Sequence, residues 1–507
     1  MSDPRNTIGQ GVGGSRDKDL DEAALRGLER GATQLRQPPG LYLLFTVEMW
    51  ERFSFYGMKA LLILYLTATA SNGGLEWSKD HAGQLMGWYS GLVYLTPIIG
   101  GYLADRFLGT HRSLLIGGTI IAMGHFLLMM EGPLGLFGGL SLVVIGTGFF
   151  KSNVSTMVGQ LYQQGDPRRD AGFTIFYMGI NLGAFIAPLI CGWLQYKYGW
   201  RYGFGAAGVG MVVGLIIYSI LRGRYLAGIG DAPTAGTMSA AEMEERRRPL
   251  TTEEWHRVAV VCIMAFFVFF FWASFEQSGN SMALFAEERT DRSAPGWIEF
   301  AVPENTNATA SESAARPGHK EFPAAWFQSV NAGMILLLAP VFAVLWVRLA
   351  KMRREPSTLL KMALGLIGVG AGFAFMVAGA YLSAGGAGGA PGTITRVSPL
   401  FLIGAFLIHT IAELCLSPVG LSLVTRLAPL KFASLMMGAW FLANFFANLT
   451  AGLSVGLSDT FDKGNGFFKF LGGQADFFLI WVALPVAAGL VLCALVPMLR
   501  RLTHGRA

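Results

Sequence analysis

Apolar side chains fill twelve long stretches of the chain, and shorter polar segments separate them. A helix needs about 20 apolar residues to cross a hydrocarbon core roughly 30 Å thick, and each stretch has about that length or more. Because backbone groups within a bilayer have to satisfy one another, we predict that each stretch is a transmembrane helix. The predicted spans lie near 41–69, 82–104, 112–131, 134–162, 170–196, 200–222, 257–285, 325–349, 357–382, 397–424, 432–457 and 475–499.

One polar segment divides the spans into two sets of six. Residues 223–256 include the charged run Glu244–Arg248 and hold no apolar stretch long enough to cross a membrane. We therefore predict an all-α integral membrane protein with an N-terminal six-helix bundle at 41–222, a cytoplasmic linker at 223–256, a C-terminal six-helix bundle at 257–500 and a cytoplasmic tail at 501–507. Residues 1–40 are polar and contain many glycines, which predicts a cytoplasmic, mostly disordered segment.

Composition and charge agree with a membrane protein. Hydrophobic residues make up 52% of the chain and charged residues only 14%, whereas soluble proteins carry about 25% charged residues. The net charge of +6 would suggest a nucleic-acid partner in a soluble protein, but here Lys and Arg concentrate in the segments on the side of the two termini. The positive-inside rule then predicts cytoplasmic termini in a multi-pass protein of the cell inner membrane, whose partner is the lipid bilayer and not nucleic acid.

The first span carries a polar stripe. Glu48, Glu51 and Arg52 are spaced i, i+3 and i+4, and Tyr56 and Lys59 continue the same helical face. Ionisable groups within a bilayer are costly unless they are paired or line a watery cavity. A structural ion-pair cluster is the alternative, but that cluster would need only Arg52 and one glutamate. The stripe therefore favours a functional site that faces a cavity.

Three more ionisable residues lie near mid-span: Lys151 in the fourth span, Glu276 in the seventh and Glu413 in the tenth. With the first span they make four carboxylates against three cations, a formal charge of −1 that one bound proton would cancel. A proton relay is therefore chemically available. Because the charges lie in both halves of the chain, ion pairs that form and break between the halves can switch access between the two sides.

Aromatic and amide side chains within apolar spans would line such a cavity. A cation at one end and a carboxylate at the other suit a zwitterion, with aromatics and amides between them. For Tyr94 and Trp440, a place in the interfacial aromatic belt or the core is as plausible as a place in the cavity. The candidate lining residues are Tyr56, Tyr94, Asn181, Trp272, Asn331 and Trp440.

Three motifs resemble a known family. Gly101–Arg112 resembles the loop signature that the major facilitator superfamily carries between its second and third helices. Glu48–Phe53 and Phe173–Gly183 resemble the first-helix and fifth-helix motifs of the proton-coupled oligopeptide transporter family within that superfamily. The resemblance spreads over residues 41 to 500 and implies the major facilitator fold, with twelve transmembrane helices in two six-helix bundles around a central cavity.

The resemblance also implies roles for these residues. Glu48, Glu51 and Arg52 are implied to couple the proton, with Lys59 on the peptide carboxylate and Glu413 on the peptide amino group. The implied switching salt bridges join Lys151 with Glu413 and Lys59 with Glu276. The implied peptide-binding residues are Lys59, Tyr56, Tyr94, Lys151, Asn181, Trp272, Glu276, Asn331, Glu413 and Trp440.

This chain departs from the family pattern at three places. Phe55 stands where the family often has tyrosine, so that one hydroxyl contact is missing. Lys59 stands where arginine is common, and an ammonium binds a carboxylate with less defined geometry than a guanidinium does. Residues 223–256 have no room for the two extra helices that many bacterial relatives carry in the linker, which affects the topology and not the function.

We predict a transporter, not an enzyme, that carries di- and tripeptides with protons by alternating access and works as a monomer. The proton is the coupling ion, and no other cofactor is expected. A carrier for nitrate or another small organic anion is the alternative within the same family. A membrane-embedded enzyme or sensor is less favoured, because the spans show no nucleophile–base set and the four cysteines have no metal-ligand spacing.

Overall fold

Twelve long helices account for most of the structure, a computed structural model that describes residues 36–130, 132–163, 166, 168–233, 248–296, 299, 302, 320–386, 394–429 and 432–503. Within these ranges the only extended pairings are two isolated bridges, Thr290 with Val397 and Ser293 with Glu321. The segment predicted to be disordered lies outside the described residues up to residue 35, and the first helix among the described residues begins at Pro39.

Each predicted span corresponds to one long helix. In the first half these are α1 (Pro39–Thr67), α2 (Lys79–Leu103), α3 (Thr110–Leu127), α4 (Gly139–Gln160), α5 (Arg169–Tyr198) and α6 (Trp200–Tyr225). In the second half they are α7 (Thr252–Phe275), α8 (Gln328–Lys351), α9 (Thr358–Ser383), α10 (Leu400–Leu427), α11 (Ala433–Asp462) and α12 (Gly473–Leu502). Among the described residues, eight helices are long and apolar enough to cross a membrane by length and composition alone.

Helix α7 differs from its predicted span at both ends. It begins at Thr252, five residues before the predicted start, because Thr251 and Glu254 form a capping box that satisfies the first backbone N–H groups. It also breaks where the prediction had one continuous span. A 3₁₀ turn follows at Glu276–Gly279, Asn280 leaves the helical conformation, and a short helix runs over Ser281–Glu288. Glu276 thus stands at the break in the seventh span.

The helices pack as two groups in chain order. In the first group α1 packs on α5 and α6, and α3 packs on α4 and α6. In the second group α9 packs on α10 and α12, and α7 packs on α11 and α12. The two groups meet mainly where α2 packs on α11 and where α5 packs on α8. This arrangement leaves α1, α5, α7, α8 and α10 around a space between the groups.

The contact between α2 and α11 is close enough for backbone to touch backbone. A Cβ atom added to Gly452 would collide with the carbonyl oxygen of Gly83, and one added to Gly87 would lie 2.9 Å from the carbonyl oxygen of Leu449. Small residues allow this approach between membrane helices. We call the contact formed by Gly83, Gly87 and Gly452 the glycine seam.

The seam lies near the end of the molecule that carries the 3₁₀ turn Ala70–Asn72, which we call the first-loop end. Two hydrogen bonds to α5, one from the start of α8 and one from the 3₁₀ turn Ala324–Phe327 before it, lie toward the same end. Ser329 Oγ donates to the carbonyl oxygen of Phe185 at 2.7 Å, and Trp326 Nε1 donates to that of Leu189 at 3.0 Å. The two bundles are therefore held together at the first-loop end.

Candidate substrate and proton site

Three charged side chains of α1 are buried together. Glu48, Glu51 and Arg52 are 3%, 1% and 4% exposed. Arg52 Nε lies 3.1 Å from Glu48 Oε1, and Arg52 also pairs with Glu51. The stripe expected from the spacing is therefore present as one ion-paired group, which we call the α1 charge cluster.

The α1 charge cluster is not fully satisfied. One guanidinium serves two carboxylates, so that the cluster carries one net negative charge when both carboxylates are ionised. Glu48 Oε2, Glu51 Oε1 and Arg52 Nη2 are buried and have no hydrogen-bond partner. A buried polar atom without a partner costs about 1–3 kcal/mol. A proton on either carboxylate would cancel the net charge, so the cluster has the chemistry of a proton acceptor.

A cavity of about 180 Å³ lies between the two bundles. It is smaller than the roughly 300–1,000 Å³ typical of sites for drug-sized ligands, which fits a small substrate. Eight of the ten side chains that the resemblance implied for peptide binding line this cavity and come from α1, α2, α5, α8 and α10 and from the seventh span. They are Tyr56, Lys59, Tyr94, Asn181, Trp272, Glu276, Asn331 and Glu413.

One wall of the cavity holds an ion pair between the bundles. Lys59 Nζ of α1 lies 2.6 Å from Glu276 Oε2 at the break in the seventh span. Both residues are less than a tenth exposed, so water screens this pair little. The structure thus brings together the pair that the resemblance implied for Lys59 and Glu276.

Glu413 presents a carboxylate to the same cavity. Asn331 Nδ2 of α8 donates to Glu413 Oε2 at 3.2 Å and to Thr410 Oγ1 at 3.0 Å. Among the described residues no cation lies within ion-pair distance of Glu413, which is 7% exposed. The hydroxyl of Tyr177 is a second neutral hydrogen-bond partner of Glu413. A buried carboxylate held only by neutral groups can bind a ligand cation.

Two of the implied residues do not line the cavity. Lys151 Nζ lies 3.9 Å from the centre of the Tyr94 ring and forms no ion pair with Glu413 in this structure. Trp440 is 6% exposed and packs in the hydrophobic core. The switching pair of Lys151 with Glu413 therefore stays a prediction, and for Trp440 the geometry matches the core alternative left open by the sequence.

Several lining residues were missed by the sequence analysis. Tyr177 lies one helical turn before Asn181 within the fifth-helix motif, so its spacing could have identified it. Gln328 donates through Nε2 to the carbonyl oxygen of Ser278, and both residues line the cavity. No pattern could have placed these two, because the position of Ser278 depends on the break after Glu276. Phe275 and Phe406 complete the aromatic wall.

Comparison with known proteins identifies the family. The model of the POT family matches residues 111–230 and 310–470. A protein named peptide transporter YePEPT from Yersinia enterocolitica is 37% identical over an alignment covering 82% of this chain and 86% of that protein. A protein named di-/tripeptide transporter from Lactococcus lactis is 35% identical over 80% of this chain and 87% of that protein.

A solved structure agrees in fold. A variant of the peptide transporter POT, crystallised in complex with alafosfalin, superposes with a TM-score of 0.76. It is 34% identical in sequence, and the superposition covers 92% of this chain and 96% of that chain. The predicted major facilitator fold is therefore confirmed. This chain belongs to the POT family of multi-pass membrane transporters, the family to which its motifs pointed.

Proposed function

We propose that this protein carries di- and tripeptides across the cytoplasmic membrane together with protons, by alternating access. The observation that carries the proposal is the cavity between the bundles, with the Lys59–Glu276 pair and the amide-held carboxylate of Glu413 in its walls. Such a cavity suits a short zwitterion. The names of the two relatives and the ligand of the solved structure support the same substrate class.

The two ends of the peptide bind to opposite charges. Lys59 binds the peptide carboxylate, and Glu413 binds the peptide amino group through a charge-assisted hydrogen bond. In the structure Lys59 is already paired with Glu276, so that the incoming carboxylate competes with Glu276 for the same ammonium. A proton on Glu276 would remove that competitor. Peptide binding and proton binding then favour one another at a single ion pair.

The α1 charge cluster supplies a second place for the proton. Its net negative charge and its unpartnered oxygens on Glu48 and Glu51 favour protonation when Arg52 cannot compensate both carboxylates. The cluster lies on the same helix as Lys59, two to three turns away. A change in the charge of the cluster therefore changes the electrostatic potential at Lys59, which binds the peptide carboxylate.

The orientation follows from the positive-inside rule. We assign the first-loop end to the outer side of the inner membrane and both termini to the cytoplasm. With this assignment the structure represents a state that is closed to the outside, because the glycine seam and the Lys59–Glu276 pair join the bundles there. The described lining of the cavity comes from a single chain, which supports a transporter that works as a monomer with the proton as its coupling ion.

Transport by purified protein in liposomes tests the proposal. An inward proton gradient is applied, and labelled dialanine is supplied outside. We expect peptide to accumulate against its gradient, and a protonophore to abolish the accumulation. Labelled nitrate in a parallel reaction tests the rival substrate. Accumulation of nitrate without accumulation of peptide would overturn the proposed function.

A further inference from the structure

The α2 residue Tyr89 lies next to the α1 charge cluster and has no part in the function proposed so far. Its side chain is 3% exposed, and its hydroxyl is buried without a hydrogen-bond partner. Burying a hydroxyl without a partner is unfavourable, so its place in the fold calls for an explanation.

The Tyr89 ring is connected to the cluster through Phe55. The two rings stack with their centres 6.4 Å apart and their planes 25° from parallel. The Phe55 ring in turn lies 5.4 Å from the Arg52 guanidinium and 5.8 Å from Lys59 Nζ. A ring face attracts a cation, so Phe55 supports both cations of the α1 stripe, and Tyr89 supports Phe55.

The Tyr89 hydroxyl is also a suitable donor for a hydrogen bond that the α1 charge cluster lacks. Glu51 Oε1 is buried and accepts no hydrogen bond, and Tyr89 supplies a buried donor that is not in use. The charged groups that face this region are Glu48, Glu51 and Arg52 of α1 and Lys151 of α4, the helix packed against α2 and α1. Among these groups only Glu48 and Glu51 can accept a hydrogen bond from the phenol.

Helix α2 places Tyr89 in a position that links the cluster to the other bundle. Gly87 and Gly91 contact α11 through Leu449 and Phe445. Tyr89 lies two residues from each glycine, and two residues turn a helix by about half a circle. One face of α2 therefore meets the second bundle, while the opposite face meets the α1 charge cluster.

We propose that Tyr89 is a positioning residue for proton coupling: its ring holds Phe55 beneath Arg52, and its hydroxyl donates to Glu51 when Arg52 pairs with Glu48 alone. The inference rests on the proposed proton coupling. In that state Tyr89 replaces the hydrogen bond that Arg52 withdraws. The charged form of Glu51 is then stabilised without a second cation.

The pH dependence of uptake tests this role. Tyr89→Phe keeps the ring and removes only the hydroxyl. Without that donor the charged form of Glu51 loses a hydrogen bond that its protonated form does not need. The pH of half-maximal uptake should therefore move upward by roughly one unit, since a hydrogen bond to a charged group has about that effect. Peptide counterflow at symmetric pH should stay within about twofold of the wild type, because the variant leaves Lys59 and Glu413 in place.

Tyr218→Phe is the matched control. Tyr218 is also a fully buried tyrosine, but its hydroxyl bonds His111 at 2.8 Å, away from the α1 charge cluster. A pH profile that moves in Tyr89→Phe but not in Tyr218→Phe supports the inference. An unmoved profile in Tyr89→Phe, in a protein whose wild type accumulates peptide, would overturn the inference alone. A wild type without gradient-driven uptake would overturn the proposed function as well.

Discussion

The buried charged residues of α1 are the basis of the proposed proton coupling. Glu48, Glu51, Arg52 and Lys59 of one helix are each less than a tenth exposed. Their burial is costly, and the ion pairs and ring contacts around them compensate only part of that cost. The three residues of the α1 charge cluster together keep one negative charge, which we propose that a bound proton cancels. A helix selected for stability alone would carry apolar side chains at these positions.

Replacing either cluster glutamate should separate proton coupling from peptide binding. Glu48→Gln or Glu51→Gln removes one carboxylate and leaves the other neutralised by Arg52, so that no charge remains for a proton to cancel. We expect gradient-driven uptake of dialanine to fall to the background of protein-free liposomes, while counterflow stays measurable. Glu76→Gln, an exposed glutamate, is the control. Uptake that survives both replacements would show that the cluster does not couple the proton.

Glu413 should recognise the amino group of the peptide. Glu413→Gln keeps the shape and the contact with Asn331 but removes the charge that pairs with an ammonium group. Loss of a charge-assisted hydrogen bond should weaken the binding of free dialanine about 10- to 100-fold. N-acetyl-dialanine should bind the wild type weakly and lose little more in the variant. Equal affinity of the wild type for the free and acetylated peptides would contradict the assignment.

The sequence predicted the charged residues better than the neutral ones. A charged residue within an apolar span stands out in the sequence, because the bilayer excludes charge. Lys59, Glu276 and Glu413 were predicted on this ground. Tyr177 and Gln328 were not predicted as lining residues, because a tyrosine or an amide is also common at interfaces and helix ends. Lys151 was predicted as a site residue, but its contact with the Tyr94 ring was not. That contact depends on the relative placement of α2 and α4, which the sequence does not show.

At the scale of elements, the glycine seam determines how the two bundles meet. Helices in lipid gain no hydrophobic driving force from one another, so close backbone packing has to supply the attraction. Gly83 and Gly87 on α2 and Gly452 on α11 allow that approach. The spacing of Gly83 and Gly87 is visible in the sequence as a small-xxx-small pattern, but α11 as the partner is not. Tertiary contacts between distant spans lack a local signal.

A pair of alanine substitutions on α11 should have opposite effects. Gly438→Ala adds a Cβ where no atom lies within 4 Å, and it should stabilise the helix by about 0.5–1 kcal/mol. Gly452→Ala makes the same change inside the seam, where the Cβ collides with Gly83, and it should cost about 1–3 kcal/mol. Thermal unfolding in detergent measures both variants. Equal melting temperatures of the two variants would show that the glycine seam accommodates the added Cβ atom without loss of stability.

The start of α7 shows a local signal that hydropathy alone overlooks. Thr251-x-x-Glu254 matches a capping box, and the structure forms both of its hydrogen bonds. Apolar residues alone place the start of the helix at residue 257 and exclude this polar first turn. The break after Glu276 is less visible, because the residues around it are compatible with helix and tertiary contacts such as Gln277 with Ser454 stabilise the irregular backbone.

At the scale of the whole molecule, ion pairs of two kinds join the bundles at the first-loop end. Lys59–Glu276 is buried, whereas Lys79 of α2 pairs with Glu288 at 2.7 Å in a half-exposed position. The second pair has no signal in the sequence, because Lys79 and Glu288 lie at helix ends, where charges are common. The buried pair faces the substrate, and the half-exposed pair faces the loops at that end.

Breaking the half-exposed pair should favour opening of the first-loop end. Because exposed pairs contribute at most about 1 kcal/mol, Lys79→Gln should raise the open population by no more than about fivefold. The exchanged pair Lys79→Glu with Glu288→Lys should restore the wild-type population. Distances between spin labels at Ser78 and Glu287 measure the opening. Lys463→Gln is the control, since Lys463, the residue after α11, pairs with Asp459 in the last turn of the same helix. An unchanged distance distribution in Lys79→Gln would show that this pair does not hold the bundles closed.

The break in the seventh span has a consequence for the order of events. Ser281–Glu288 is joined to α7 only through the irregular turn and Asn280, and it carries Glu288 at its far end. Six of its eight residues, Ser281–Ala286, are at most 3% exposed, and Arg289, the next residue along the chain, pairs with Asp462 of α11. We therefore expect the segment to move as part of the second bundle, so that a proton on Glu276 releases Lys59 of the first bundle without disturbing the irregular turn. The buried ion pair would then break first, and the glycine seam would separate afterwards as the bundles rotate.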